Sequence, residues 1–284
     1  MSTLELIKTL REKTGAGLAD CKNALGESNN DLEAAIICLR KKGLADMAKR
    51  AGRETKEGRT VIKTDGKYYA MASLGCETDF VAKTPDFEAL VSDIAGYMLK
   101  NPAVADYTQD APLKKIIEER APKFGENISF TQAVCWPAPQ GCGVINYYLH
   151  TDNKKAAMVE FKVTPADGGE CKCSPQTKET LTELAKNIAM QGVGMVAQYL
   201  KKEDVPQSVI DNEKDIAATQ AKNEGKPEAA IEKMLPGRIQ KFFKDVVLLE
   251  QPAIKDSKLS VRDLINAVGK DLGVNIEVVK YVRF

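Results

Sequence analysis

A hairpin signal followed by an amphipathic helix occurs twice in this chain, and that recurrence restricts its fold more than any other feature. In the first copy, VIKT (61–64) and KYYAMASLGC (67–76) flank Asp65-Gly66, a dipeptide suited to the positive φ angles of a tight turn. In the second, YYLH (147–150) and KAAMVEFKV (155–163) flank a Thr-Asp turn. Phe87, Leu90, Val91 and Ile94 then mark a helix face, and Leu181, Leu184, Ala185 and Ile188 repeat its spacing. The turns are offset by 87 residues and the helices by 94, the additional seven lying in GGECKCSP (168–175). Two such units predict an α+β core of two related halves, each a small antiparallel sheet with helices, over residues 60–140 and 141–284.

Helices flank and interrupt this core. Ser2 and Glu5 have capping-box spacing ahead of Leu6, Ile7 and Leu10, and Asn30 and Glu33 repeat it ahead of Leu32, Ala35, Ile36 and Leu39. Between them Leu18, Cys21, Ala24 and Leu25 fall at helical intervals. Residues 1–45 are therefore expected to form a three-helix bundle ending at Gly43, with 46–59 as a polar linker. Thr84-Pro85-Asp86 starts the helix of the first half, residues 112–122 read as another helix, and 128–136 as a strand. Residues 207–248 form an αα-hairpin inserted in the second half, turning at NEGKP, with Pro236-Gly237 expected to kink or interrupt the returning arm. A last amphipathic helix (259–273) and a strand close the chain.

Charge narrows the function. The 41 Lys and Arg balance 40 Asp and Glu, so the net charge is +1 and offers no global attraction to nucleic acid or an anionic membrane. No apolar run approaches the roughly 20 residues of a membrane helix, and the first residues lack a signal-peptide core, so a cytoplasmic address is expected. Seven cysteines do not make a secreted disulfide framework at this length. Cys171 and Cys173, with Cys135, Cys142 and His150, have no recognised zinc spacing, so no metal and no cofactor are expected. G-x-S-x-G, H-E-x-x-H and Walker-type loops are absent, and Gly15-Ala16-Gly17 follows a helix rather than a strand. The chain reads as a binding protein rather than an enzyme.

One segment resists a purely structural reading. CETDFVAKTPDF (76–87) places Asp79 and Phe80 in the strand-to-helix connection of the first half, and the second half has no such pair there. By position alone, Phe80 is a core plug. His150, at a predicted strand end, reads from its chemistry as a structural histidine before a functional one.

Five stretches then carry a resemblance: ELIKTLREKTGAGLADCKNAL (5–25), ETKEGRTVIKTDG (54–66), ETDFVAKTPDF (77–87), GENI (125–128) and GKPEAAIEKMLPGRIQKFF (225–243). In this order they resemble the bacterial elongation factor Ts family across nearly the whole chain. The resemblance implies an N-terminal module like a ubiquitin-associated three-helix domain, then a core of two related subdomains with a helical hairpin. It implies guanine nucleotide exchange on elongation factor Tu, the GTPase that carries aminoacyl-tRNA to the ribosome. It implies that Thr78, Asp79, Phe80 and Val81 approach the partner's nucleotide site and dislocate its Mg²⁺, with Phe80 as a wedge. Leu10 and Leu18 are implied to grip the GTPase, although bundle core is the alternative for both, and His150 is implied to be an interface residue. The competing function is a non-exchanging adaptor that binds a protein through its three-helix module.

Overall fold

Ser2 begins the first helix as its spacing requires: its hydroxyl accepts the Glu5 amide proton at 3.3 Å while its own N–H donates to the Glu5 carboxylate at 2.7 Å. In the computed structural model, which describes residues 2–169 and 173–284, this helix is α1 (Thr3–Thr14). It ends at Gly15, whose φ of 67° suits a residue without a Cβ. α2 (Leu18–Glu27) and α3 (Leu32–Arg50, capped by Asp31) complete a bundle around Leu6, Ile7, Leu10, Cys21, Leu25 and Ala35.

The expected stop at Gly43 does not occur. α3 runs through it to Arg50 because Leu44, Ala45, Met47 and Ala48 sustain the helix. Gly43 serves close approach instead, since a Cβ there would lie 2.9 Å from the Pro122 ring. The expected linker is shortened from its other end too. β1 (Glu57–Thr64) starts in polar residues because its pairing with β2 (Tyr68–Cys76) extends to Glu57 opposite Cys76.

The chain divides into two compact units, Met1–Pro137 and Ala138–Phe284. In the first, β2 is followed by a one-turn helix, α4 (Asp79–Ala82), then α5 (Pro85–Lys100) and α6 (Ala111–Arg120), and β3 (Ser129–Pro137) returns beside β2. The sheet order is β1-β2-β3, antiparallel throughout. α5 buries Phe87, Leu90, Val91, Ile94 and Met98 against Ala70, Ala72 and Leu74 of β2.

The second unit repeats the plan. β4 (Val144–Leu149), β5 (Ala156–Pro165) and β6 (Val274–Arg283) form an antiparallel sheet in the order β4-β5-β6. α7 (Pro175–Gly194) buries Leu181, Leu184, Ala185 and Ile188 in a core shared with Val159 and Phe161. The register shifts between Ser73 and Leu74 of β2, where Thr131 of β3 bulges, and again between Glu160 and Phe161 of β5, where Val279 of β6 bulges; the β2 and β5 positions have the same 87-residue offset as the turns. Between α7 and the final helix stand α8 (Gln207–Asn223) and α9 (Glu228–Val246), an antiparallel hairpin. α10 (Val261–Leu272) then precedes β6.

α9 passes Pro236 without interruption, contrary to expectation. Proline removes one helical donor, which would have paired with the Glu232 carbonyl, and both residues lie on the exposed face where water can take that carbonyl.

Candidate functional site

Phe80 is 82% exposed, the most exposed large hydrophobic side chain among the described residues. A core plug is excluded by that figure. The local sequence explains the projection. Thr78 caps α4, its hydroxyl accepting the Val81 amide proton at 3.4 Å. Thr84 ends the turn, donating to the Val81 carbonyl at 2.8 Å, and then caps α5 by accepting the Phe87 amide proton at 3.2 Å. Helical steps of about 100° turn Ala82 into the first unit's core, with Val81 packed at its margin, and leave Phe80 facing outward. Asp79 pairs with Lys83 at 2.6 Å, one turn on.

The turn is held from below and from the side. Beneath it the buried Cys76 thiol donates to the Thr78 carbonyl at 3.2 Å. Burial, with the Glu126 and Glu57 carboxylates nearby, pushes that thiol up to about 12. Beside it, the Glu126 carboxylate accepts the amide protons of Glu77 and Thr78 at 2.9 and 3.0 Å through Oε2, and the Thr78 hydroxyl at 2.5 Å through Oε1. The exchange is reciprocal: the Glu77 carboxylate accepts the Asn127 amide proton at 2.7 Å. Arg53 Nη1 lies 3.4 Å from Glu77 Oε1, and the Asn127 side-chain amide donates to the Arg53 carbonyl at 2.6 Å. Three backbone segments thus meet at the base of one exposed turn. Hydrophobic periodicity carried no signal for Glu77 or Glu126, since both act through their carboxylates on distant backbone.

Thr78, Asp79, Phe80 and Val81 share this turn, whereas Leu10 and Leu18 lie in the three-helix module. Their environments are opposite. Leu10 is fully buried in the bundle, so its side chain has no face to offer a partner. Leu18 opens α2 directly after Gly17 and is 62% exposed. Leu4 and Ile37 of the same module are also exposed.

His150 belongs to the second unit, where it follows β4 and its side chain is 42% exposed. Its N–H donates to the Lys155 carbonyl at 2.9 Å, closing the hairpin turn. Its Nδ1 is shielded from solvent and lies 3.2 Å from Asp152 Oδ1, an ion-pair distance without hydrogen-bond alignment. Tyr148 packs edge-on against the imidazole with ring centroids 6.2 Å apart. Burial raises the Asp152 carboxyl, but the Lys154 amide and the imidazole outweigh it and hold the group below its ordinary value.

Among the described residues no group of three or more His, Cys, Asp or Glu side chains is arranged to hold a metal ion. Cys171, part of the weighed zinc set, lies outside them. No helix among the described residues is long and apolar enough to cross a membrane.

Comparison with known proteins places these residues in a wider context. A family model described as Elongation factor TS matches residues 77–284, which include the α4 turn, Glu126 and His150. The Elongation factor Ts of Aquifex aeolicus is 36% identical, covering 99% of this chain and 97% of that protein. Those of Symbiobacterium thermophilum and Nautilia profundicola are each 38% identical, with 99% of this chain covered and 91% and 92% of theirs.

Proposed function

The chain belongs to the elongation factor Ts family of translation elongation factors, and on that premise we propose that it releases GDP from elongation factor Tu by disturbing the partner's Mg²⁺ site. The observation that carries the mechanism is Phe80: a large aromatic held out in solvent on a turn braced by Glu126, Cys76 and Thr84. A mobile phenylalanine would fold back onto apolar surface; a braced one keeps its shape until a partner covers it.

Mg²⁺ demands near-ideal octahedral coordination, so a rigid ring pressed beside its ligands can displace them without touching the nucleotide. Asp79, paired with Lys83, fixes the turn that carries the ring. The exposed Leu18 supplies a grip on the GTPase, with Leu10 as the buried packing that holds α1 against α2 beneath it. The half-exposed His150, packed beside Tyr148 and close to Asp152, adds an interface contact from the second unit. No covalent step is required, and the chain binds neither nucleic acid nor a membrane in this reading. Its setting is the cytoplasm, where translation proceeds.

The coupling is reciprocal. Whatever factor this chain imposes on GDP affinity, GDP imposes on the affinity of this chain, and each ~1.4 kcal/mol is tenfold. Stopped-flow release of a fluorescent GDP from elongation factor Tu tests the reading. Acceleration that saturates with chain concentration is the expected result. Measurable binding without acceleration would overturn it and leave a protein-binding adaptor.

A further inference from the structure

We propose that Glu126 is the positioning residue of the exchange turn, a carboxylate that presets the backbone of Thr78–Val81 so that Phe80 meets the partner already in its working orientation. The inference rests on the exchange reading and deepens it. A turn of four residues has too few internal hydrogen bonds to persist alone. Glu126 supplies what the turn lacks, closing two consecutive backbone N–H groups and the capping hydroxyl with one side chain. The chain returns the bond through Glu77 to Asn127, so neither segment can shift without breaking bonds at the other. Asn127 extends the brace to the carbonyl of Arg53, in the segment between α3 and β1. Ala82 and Thr84 set the far end of the turn, but at its near end the side-chain acceptor for the Glu77 and Thr78 amides is Glu126.

The chemistry predicts which replacements succeed. Glutamine can place its carbonyl oxygen at the Oε2 position and keep both backbone N–H bonds, while its amide turns to the Thr78 hydroxyl as donor. Alanine leaves all three groups to water, and the fraction of molecules with a competent turn falls, which lowers the rate in proportion.

The test uses the full chain in three forms, wild type, Glu126→Ala and Glu126→Gln, with two readouts. Hydrogen exchange of the free protein reports the brace. The Glu77 and Thr78 amides should lose protection in Glu126→Ala, and those of Ala70 and Ala72 in β2 should keep theirs. Stopped-flow GDP release reports its use. The maximal rate should fall about tenfold in Glu126→Ala, the half-saturating concentration should move less than threefold, and Glu126→Gln should return to within about threefold of wild type. Unchanged protection at Glu77 and Thr78 overturns the brace whatever the exchange data show. Lost protection with an unchanged maximal rate overturns its role in positioning. Failure of wild type itself to accelerate GDP release overturns the exchange reading and the positioning role with it, and the hydrogen-exchange result then stands as a statement about the fold alone.

Discussion

Replacing Phe80 with alanine separates function from folding. With 82% of its surface in solvent, Phe80 contributes little to the free protein, and the change in unfolding free energy should stay within about 0.5 kcal/mol. In the proposed complex the same ring would become buried, and full burial of a phenylalanine is worth roughly 1.5–3 kcal/mol. If that energy is spent at the Mg²⁺ site of elongation factor Tu, losing it slows GDP release about ten- to a hundredfold at saturating chain concentration. The assay is stopped-flow release of a fluorescent GDP in excess Mg²⁺ and again with Mg²⁺ chelated, paired with a urea unfolding curve. The defect should be large with Mg²⁺ present and small once it is removed, because a wedge has nothing to displace from an empty site. An equal defect in both conditions would refute the Mg²⁺ mechanism. A loss of stability above about 2 kcal/mol would refute the premise that Phe80 stands free of the core.

The two leucines of the three-helix module should part in opposite directions. Leu10→Ala removes a fully buried side chain and should cost about 2–5 kcal/mol, seen as lost amide protection across α1 to α3, whereas Leu18→Ala should leave stability within about 0.5 kcal/mol and raise the half-saturating concentration in exchange. The Cys76 thiol, pushed up to about 12, should resist iodoacetamide at pH 8 in the folded protein and react once the chain unfolds, while mass spectrometry should find the partly exposed Cys38 labelled ahead of it. Asp152 has a folded value below its unfolded one near 3.8, so its contribution is complete above that pH and is lost as pH falls through the lower folded value. Asp152→Asn should therefore flatten the acid side of the stability profile, read by denaturant titration from pH 5 to pH 2.

Local chemistry made much of this protein legible in advance. Ser2 with Glu5 and Thr84 with Pro85 each start a helix where a side-chain oxygen and the nearby backbone suffice. The repeated spacings of Phe87 to Ile94 and Leu181 to Ile188 mark faces that a sheet must cover, and both halves follow from them. Local rules failed where a distant residue decided the outcome. Gly43 carries a C-cap signal, yet α3 continues through it, and the glycine admits the Pro122 ring instead. The matching bulges at Thr131 of β3 and Val279 of β6 are set by pairing with β2 and β5, far away along the chain.

The sequence by itself determined the duplicated α+β plan, the three-helix module, the hairpin and the family, because periodicity, caps and ordered motifs are properties of neighbours along the chain. Periodicity could not decide whether Phe80 was buried or exposed, or which of Leu10 and Leu18 faced water, because both answers depend on what lies across space. Only the tertiary structure brought Glu126 beside Thr78, 48 residues away along the chain, and so anchored the base of a turn whose four residues have little structure of their own. A hydrogen bond between distant segments leaves no periodic trace in either of them.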